Sequence, residues 1–401
     1  MTVYQHTNSS KAPAEMYDFL IIGAGIAGLS IAYRLGGRAR TLIVEAESQP
    51  GYHSSGRSAA MFMETYGTPT IQALTRAGRD FFTSPPSDFV LHPLLQDRGV
   101  FYLVRDDQIE LKNQTMAQLR ASGAYIEEIS AAEVLARVPC VRAEGLVGAI
   151  YEPEAKDVDV HELLQGFLKS VRKYPGNDFV FGSSVVQATR ANGVWDVVLS
   201  NGAHVKAKAV VNAAGAWAQH VANLFGAVDV GLQPKRRSAF TFKPVCEKTG
   251  ELLAEETIRQ WPAVVSVDET FYFKPDAGQL LGSPANVDPV EPHDVVAEEF
   301  DVALGIHRIT SATTLQIRRP EHTWAGLRSF AKDNEFVIGW DAQSEGFFWL
   351  AGQGGYGIQT SPGASLLAAN LLLNEPLDDL LINEGVEPAV MSPARFVPTS
   401  T

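Results

Sequence analysis

The stretch YDFLIIGAGIAGLSIAYRL, residues 17–35, constrains the fold more than any other part of the chain. Residues 19–22 form an apolar run typical of a buried strand, and residues 26–35 follow with the spacing of a helix. Between them, Gly23, Gly25 and Gly28 form the pattern G-x-G-x-x-G. A second predicted strand at residues 41–44 completes a βαβ unit of about 30 residues. This unit predicts an α/β domain built on a parallel sheet.

The glycine spacing also has a chemical meaning. The first glycine permits a tight turn, the second lets the backbone approach a pyrophosphate, and the third lets helix and strand pack closely. The helix N-terminus offers free N–H groups to the phosphates. Glu45 ends the second strand, where its carboxylate can accept hydrogen bonds from ribose hydroxyls. The pattern therefore predicts a dinucleotide site.

Two further stretches favour FAD over NAD as the dinucleotide. After Glu45, the loop AESQPGYHSSGRSA supplies a second set of donors, which suits a cofactor that extends beyond the pyrophosphate. Near the end of the chain, a glycine-rich turn at residues 352–357 precedes a predicted helix at 361–373. The dipole of that helix can stabilise negative charge on a reduced flavin ring.

Composition limits the other possibilities. The chain has 401 residues, a net charge of -13 and two cysteines without metal spacing. We expect two domains, no metal, no nucleic-acid partner and a reducing, cytoplasmic location. Residues 1–16 are polar and aperiodic, which predicts a disordered tail.

Alternating residues and hairpin signals in the middle of the chain predict an antiparallel sheet, including a turn at Asp276, Ala277 and Gly278. We therefore predict a Rossmann-type FAD-binding domain from segments 17–91, 148–217 and 331–395. An inserted antiparallel β-sheet substrate domain would comprise 92–147 and 218–330. The fold class is α/β, with an α+β substrate domain.

Many ordered stretches resemble one known superfamily. They include IIGAGIAG, QPGYHSSGRSAA, YGTP, VVNAAGAW, GLQPKRRSAF, FYFKPDAG, IRRPEHTWAGLRSF and QGGYGIQTS. The chain resembles the FAD-dependent D-amino acid oxidase and dehydrogenase superfamily, and within it the bacterial D-arginine dehydrogenases. The resemblance implies a D-amino acid oxidase-like fold and non-covalent FAD. It also implies hydride transfer from the substrate Cα to flavin N5, followed by hydrolysis of the imino acid to a 2-oxo acid and ammonia.

The resemblance also assigns residues. Arg328 and Arg237 would hold the substrate carboxylate, with Tyr66 and Tyr272 over the same pocket. The predicted pocket wall comprises Met61, Met63, Val100, Gly355 and Gln359. The predicted cofactor contacts are Gly23, Gly25, Ile26, Ala27, Gly28, Glu45, Ala46, Ser54, Gly56, Arg57, Ser58, Ala59, Ala60, Val186, Ala214, Gly215, Trp217, Arg328, Gly354, Gly355, Tyr356, Gly357, Ile358 and Gln359.

Two departures from the D-arginine dehydrogenase pattern bear on the substrate. Met61 stands where those enzymes have a histidine, and Val100 stands where they have a glutamate placed to pair with a guanidinium. A buried cation without a partner is costly. We therefore expect a substrate with a neutral or hydrophobic side chain, unless Asp97 or Glu64 replaces the missing acid. Methionine has no basic group, so Met61 cannot accept the proton that the substrate amine must lose. His53 is a conceivable substitute for the missing histidine.

Three alternatives stay open at this point. The enzyme could act on a β-, L- or N-alkyl amino acid or on glycine. It could be a flavin-binding subunit without activity, although the two arginines and two tyrosines argue against this. The electron acceptor could be oxygen or a quinone-type carrier, and a quinone would favour a location at the membrane periphery.

Overall fold

A computed structural model describes residues 16–121 and 123–397. Of the predicted disordered tail, residues 1–15 lie outside this range. Within the described residues the strands, in chain order, are β1 Tyr17–Ile22, β2 Thr41–Val44, β3 Met61–Phe62, β4 Leu95–Asp97, β5 Val100–Arg105, β6 Glu127–Ser130, β7 Leu146–Glu152, β8 Lys156–Val158, β9 Asn177–Val180, β10 Val185–Ala191, β11 Val194–Leu199, β12 His204–Asn212, β13 Gln233–Phe242, β14 Val245–Cys246, β15 Ala263–Ser266, β16 Tyr272–Asp276, β17 Gln279–Ser283, β18 Asp288–Pro289, β19 Leu315–Gln316, β20 His322–Phe330, β21 Val337–Trp340 and β22 Phe347–Ala351.

The helices of the same residues range from four to sixteen residues in length. In chain order they are α1 Ile26–Leu35, α2 Pro69–Ala77, α3 Arg79–Thr83, α4 Ile109–Ala121, α5 Ala131–Arg137, α6 Val160–Lys173, α7 Ala218–Leu224, α8 Glu255–Arg259, α9 Glu299–Ala312, α10 Gly357–Leu372, α11 Asp379–Asn383 and α12 Pro388–Met391. Short 3-10 turns lie at Asp106–Gln108, Gly215–Trp217 and Pro393–Phe396.

The first sheet confirms the predicted parallel α/β core. Strands β12, β1, β2 and β9 pair in parallel in that order, and β22 adds in parallel to the end of β12. Helices α1, α2, α6 and α10 contribute to the apolar cluster on one face, and β11, β12 and α7 contribute to the cluster on the other. The carboxyl ends of β1, β2, β12 and β22 meet at one edge, where a doubly wound sheet binds its ligand.

The second sheet is the predicted inserted sheet, and it is antiparallel except where β15 pairs in parallel with β5. Its order is β18-β13-β17-β16-β15-β5-β7-β6, with β20 paired to β13. The predicted hairpin joins β16 to β17, and Ala277 and Gly278 both have positive φ, at 46° and 77°. Such values match the tight turns that twisted hairpins favour. The whole of β7 belongs to this sheet, so the chain leaves it after Glu152, whereas the predicted boundary at 148 falls inside the strand.

Helix α10 begins earlier than predicted. The sequence pattern predicts a helix from residue 361, after the glycine-rich turn at residues 352–357. The structure instead starts α10 at Gly357 and keeps Pro362 inside it. Proline cannot donate to the carbonyl four residues before it. The Ser361 hydroxyl donates to that carbonyl, of Ile358, at 2.9 Å, which lets the helix continue through the proline.

Candidate active site

The glycine-rich turn lies at the edge where the parallel strands end. Gly23 has a φ of +103°, and a Cβ there would lie 2.5 Å from the Ala213 carbonyl oxygen. A Cβ on Gly28 would lie 1.9 Å from the carbonyl oxygen of Gly23. These two glycines therefore bring α1 against β1 and β12, as the spacing predicts.

Glu45 lies beside this turn. Its carboxylate accepts from the N–H of Ala24 at 2.6 Å and from the N–H of Glu47 at 3.0 Å. The same oxygens face an open cleft, where each can accept further hydrogen bonds. Predicted cofactor residues that line this cleft are Gly23, Gly25, Glu45, Ala46, Ser54, Ala214, Gly215 and Trp217.

The donor-rich loop after β2 joins the two sheets. The Ser55 hydroxyl accepts from the N–H of Ile26 at 3.0 Å, and the Ser54 hydroxyl donates to the Leu327 carbonyl at 2.6 Å. Arg57 donates to the carbonyl oxygens of Val295 at 2.8 Å and Ala325 at 3.3 Å, and pairs with Asp294. Its guanidinium thus fastens the loop to the second sheet.

A second cavity continues the cleft toward the substrate side. Predicted cofactor residues that line it are Gly25, Ile26, Ala27, Ser54, Arg57, Ser58, Ala59, Gly215, Arg328, Gly354, Gly355, Gly357 and Ile358. The first and second cavities share Gly25, Ser54 and Gly215. The resulting path runs from Glu45 past the α1 N-terminus to the α10 N-terminus. A dinucleotide that carries a large ring system beyond its pyrophosphate fits such a path.

Six predicted cofactor residues do not line these two cavities, and two of the six, Ala60 and Gln359, line a neighbouring third cavity. Gly28 and Gly56 pack against backbone oxygens, and a Cβ on Gly56 would lie 2.4 Å from the Gly51 oxygen. The Val186 side chain is 49% exposed, and the neighbouring Val185 lines the cleft in its place. The Tyr356 ring packs edge-on against Tyr66 at a centroid distance of 4.7 Å.

A third cavity, the candidate substrate chamber, adjoins the second. Its predicted members are Tyr66, Tyr272, Arg237, Arg328, Met61, Met63, Gly355 and Gln359, together with Ser58, Ala59, Ala60 and Ile358. Gln359 is buried, and its amide group donates to the Met63 carbonyl at 3.1 Å and the Thr75 hydroxyl at 2.9 Å. It thereby ties α10 to the chamber wall.

Arg237 and Arg328 converge because their strands pair. In the antiparallel register of β13 and β20, Arg328 lies opposite Lys235, two residues from Arg237 on the same face. Arg236 points to the other face and pairs with Asp301 at 2.8 Å. Of the three consecutive basic residues at 235–237, Arg237 is therefore the one that lines the chamber.

The two chamber guanidiniums have neutral partners. Arg328 donates to the Tyr66 hydroxyl at 3.2 Å, and Arg237 donates to the Asn286 carbonyl at 2.7 Å. Among the described residues, neither guanidinium forms an ion pair with a carboxylate. Burial, with the charge of Arg328, lowers the pKa of Arg237 from its ordinary value. A bound carboxylate would relieve the repulsion between these two charges.

Val100, which was predicted to line the chamber, does not line it, and neither do Asp97, Glu64 and His53. Val100 is fully buried and packs behind the wall in an apolar cluster with Met63 and Tyr102. Neither alternative acid reaches the chamber, since Asp97 pairs with Lys156 at 2.5 Å and Glu64 pairs with Arg79 at 2.5 Å. His53 lies in the first cleft, 2.9 Å from Glu47.

Sequence reasoning missed three polar residues of the chamber, namely Tyr102, Glu269 and Lys274. Glu269 lies in the turn between β15 and β16, is exposed, and has a φ of +53°. Lys274 is buried and pairs with Asp157 at 2.7 Å. The position of Glu269 three residues before Tyr272, in a hairpin turn, was the available signal.

Comparison with known proteins gives the family. The family model for FAD dependent oxidoreductases (DAO) matches residues 18–371. The chain belongs to this family. FAD-dependent oxidoreductase domain-containing protein 1 of Mus musculus is 25% identical over an alignment of 423 positions, which includes 91% of this chain and 83% of that protein.

Solved structures of family members share the fold. Glycine oxidase from Geobacillus kaustophilus superposes with a TM-score of 0.79 at 19% identity, covering 96% of this chain and 100% of that chain. L-alpha-glycerophosphate oxidase from Mycoplasma pneumoniae with FAD bound gives a TM-score of 0.78 at 19% identity, covering 91% and 96% of the two chains. The protein is thus an FAD-dependent oxidoreductase with the D-amino acid oxidase-like fold.

Two kinds of feature are absent from the described residues. No helix among them is both long and apolar enough to cross a membrane. No group of three or more histidine, cysteine, aspartate or glutamate side chains in residues 16–121 and 123–397 is arranged to hold a metal ion.

Proposed function

We propose that this flavoenzyme oxidises the Cα–N bond of an α-amino acid, of D configuration and with a neutral or hydrophobic side chain. The product would be an imino acid, which water hydrolyses to a 2-oxo acid and ammonia. The observation that carries the proposal is the pair Arg237 and Arg328, whose guanidiniums face one chamber and form no ion pair within the described part of the chain.

The chamber residues would fix the substrate as follows. Arg328 and Arg237 grip the carboxylate, and the hydroxyls of Tyr66 and Tyr272 lie beside the same group. Clamping the carboxylate orients Cα, and such orientation contributes strongly to rate. Bound FAD supplies the hydride acceptor. Its ring would occupy the second cavity, held by the Ser58–Ala60 backbone and the α10 N-terminus.

The wall of the chamber supports an apolar side chain. Met61, Met63, Ala263 and Val265 line it, and methionine adapts its shape to different ligands. Apolar contacts of this kind hold an uncharged substituent without a desolvation cost. Glycine oxidase is among the structural neighbours, so glycine and N-alkyl amino acids belong in the same comparison.

Glu269 favours a second candidate, an amino acid with a basic side chain. Its carboxylate lines the chamber, and the described residues offer it no ion-pair partner. A long cationic side chain could reach it at the exposed end of the chamber. Glu269 is therefore the acid that could pair with a basic substrate side chain. Asp97 and Glu64 cannot take this role, because each pairs with another residue of the protein.

Anaerobic flavin reduction separates these candidates. The purified holoenzyme is mixed with D and L forms of leucine, phenylalanine and arginine, and with glycine and N-methylglycine. Loss of flavin absorbance fastest with D-leucine or D-phenylalanine supports the proposal. Fastest reduction by D-arginine supports the Glu269 candidate, and faster reduction by L forms or glycine contradicts the proposed configuration. If none reduces the flavin, the proposed function is wrong.

The reduced flavin must pass its electrons to an acceptor, and we propose oxygen or a quinone. Hydrogen peroxide release in air identifies an oxidase. Reoxidation by a soluble quinone under anaerobic conditions identifies a dehydrogenase.

A further inference from the structure

A buried carboxyl group lies directly behind the turn that carries Tyr66. Glu152 ends β7 and is 2% exposed. Its oxygens accept from the N–H of Glu64 at 3.0 Å and from the hydroxyl of Thr65 at 2.5 Å. Among the described residues, no cationic group forms an ion pair with it.

Two hydroxyl groups connect this carboxyl group to the substrate chamber. The Thr65 oxygen lies 2.5 Å from Glu152 Oε2 and 3.1 Å from the hydroxyl of Tyr102. Tyr102 is a chamber residue. Because a hydroxyl can donate and accept at the same time, the line from Tyr102 through Thr65 to Glu152 is continuous.

The surroundings of Glu152 favour proton uptake near neutral pH. Burial raises its pKa to about 7, against the hydrogen bonds from Thr65 and Glu64 that lower it, and the Glu64 charge raises it further. Glu64 itself pairs with Arg79. On the adjacent strand β5, the residue directly opposite Glu152 is Val100, which is not ionisable. Two residues further along β5 lies Tyr102, and burial raises the pKa of its hydroxyl well above the usual range. On β6, Glu127 lies opposite Tyr151, whose side chain points to the other face.

The reaction needs such a group. An amino acid binds in water with a protonated amine, and hydride cannot leave Cα readily until that amine is neutral. The other ionisable side chains of the chamber fit poorly, because Arg237 and Arg328 stay charged and Lys274 is already paired. Glu269 is exposed to solvent at the opening. Met61 has no basic group.

We propose that Glu152, acting through the hydroxyls of Thr65 and Tyr102, accepts the proton that the substrate ammonium loses before oxidation. The step rests on the proposed function. One N–H bond of the ammonium breaks and its proton binds the Tyr102 oxygen, while the Tyr102 proton moves to Thr65 and the Thr65 proton moves to Glu152. The products are a neutral amine and a carboxylic acid, and no electrons are exchanged. The proton returns to water after the oxidised product leaves.

Thr65→Val tests the relay, because valine has nearly the same shape without the hydroxyl. Tyr102→Phe is the second variant, and Thr65→Ser is the conservative variant that keeps a hydroxyl. Thr313→Val is the matched control, since Thr313 is a buried threonine outside the site whose hydroxyl donates to Ile309. Bound FAD and thermal unfolding verify that each holoenzyme is folded. The measurement is the second-order rate constant of anaerobic flavin reduction by the best substrate, from about pH 6 to about pH 10.

We expect wild type, Thr65→Ser and Thr313→Val to share an acid limb with a pKa of about 7. Thr65→Val and Tyr102→Phe should lose that limb and fall by about 10²-fold at neutral pH. The deficit should close at alkaline pH, where the free amine is already neutral. Glu152→Gln should show the same profile.

Two results would overturn the relay. One is a Thr65→Val profile that superimposes on that of wild type. The other is a loss by the same factor at every pH, which would mean that Thr65 only holds the Tyr66 turn. In both cases wild type is still reduced by amino acids, so the proposed function stands. If no amino acid reduces the wild-type flavin, both proposals fall together.

Discussion

At the scale of single residues, the chamber is defined by two guanidiniums, of Arg237 and Arg328, that form no ion pair with a carboxylate among the described residues. Arg236 and Arg237 are adjacent, yet one pairs with Asp301 at 2.8 Å and the other donates only to a carbonyl. Strand alternation produces this difference, because neighbouring side chains point to opposite faces. The pair of Arg237 and Arg328 is therefore available to a ligand carboxylate.

Arg328→Met should lower the second-order rate constant of flavin reduction by about 10²–10³-fold, because a buried, hydrogen-bonded charge contact is worth about 2–5 kcal/mol. Arg328→Lys should lose less, since it keeps the charge and loses the bidentate geometry. Stopped-flow reduction measures both. Arg318→Met, at an exposed arginine that donates to Gln316, is the control. Equal rates in Arg328→Met and wild type would remove Arg328 from the clamp.

Glu152 should also change how stability depends on pH. Its pKa is raised from 4.5 to about 7 by burial, so the folded protein binds this proton more tightly than the unfolded chain. The protonated Glu152 therefore contributes its full share of the free energy of unfolding below about pH 4.5, and this contribution is lost as the pH rises to about 7. We expect Glu152→Gln to gain on the order of 3 kcal/mol relative to wild type across that window.

Urea unfolding at several pH values measures this difference. Glu154→Gln is the control, because Glu154 is exposed and lies only two residues away. A difference between Glu152→Gln and wild type that does not change with pH would contradict the raised pKa.

At the scale of elements, strands and tight turns follow from local sequence, whereas helix ends depend on side-chain partners. The apolar run before Gly23 and the Asp276-Ala277-Gly278 hairpin are both where the residue pattern predicts. The start of α10 is not, because it depends on the Ser361 hydroxyl and on the close packing of Gly363 against the Leu74 carbonyl. That packing arises only when α10 meets α2.

Gly28→Ala should prevent stable FAD binding. The added Cβ would lie 1.9 Å from the Gly23 oxygen, so α1 must move away from the turn that approaches the pyrophosphate. We expect a loss of bound FAD of at least about tenfold, a change of about 1.4 kcal/mol. Flavin absorbance per protein after gel filtration measures it. Gly37→Ala is the control at the other end of α1: its φ of +74° strains an alanine, but the added Cβ meets only Tyr174 and leaves the turn at Gly23 in place. It should keep FAD, and equal retention in both variants would contradict the argument.

At the scale of the whole molecule, the sequence predicts the two sheets and the two chamber arginines, but it does not predict every residue that meets at the chamber. The parallel sheet, the antiparallel insertion and the two arginines follow from pattern and resemblance. Glu269 and Lys274 reach the chamber only because β15 and β16 form a hairpin whose neighbours in the second sheet face it. Glu152 joins the site because β7 pairs with β5 and ends behind the Tyr66 turn. Such meetings of distant segments leave no local pattern in the chain.

The loop between β2 and β3 fastens the two sheets together around the cofactor path, which gives a prediction for the assembled protein. Arg57 bonds to the Val295 and Ala325 carbonyls and pairs with Asp294, while Trp324 donates to the Arg57 carbonyl at 3.0 Å. Arg57→Ala removes these three contacts to the second-sheet side, together with the bond to the Tyr52 carbonyl inside the loop, and leaves the Ser55 hydroxyl contact to α1 in place. The loop should then open more often, so FAD should dissociate faster by about tenfold or more, since hydrogen bonds to charged groups contribute about 1.5–3 kcal/mol each.

The dissociation rate is measured from the recovery of flavin fluorescence on dilution of the holoenzyme. Arg190→Ala is the control, because Arg190 pairs with Glu345 on the far side of the first sheet and makes no contact with the loop. Asp294→Asn should have a smaller effect than Arg57→Ala, because Asp294 is more than half exposed and its ion pair is screened by solvent. If Arg57→Ala retains FAD as long as Arg190→Ala does, the Arg57 guanidinium does not contribute to cofactor retention, and the loop is held by its remaining contacts to Ile26, Leu327 and Trp324.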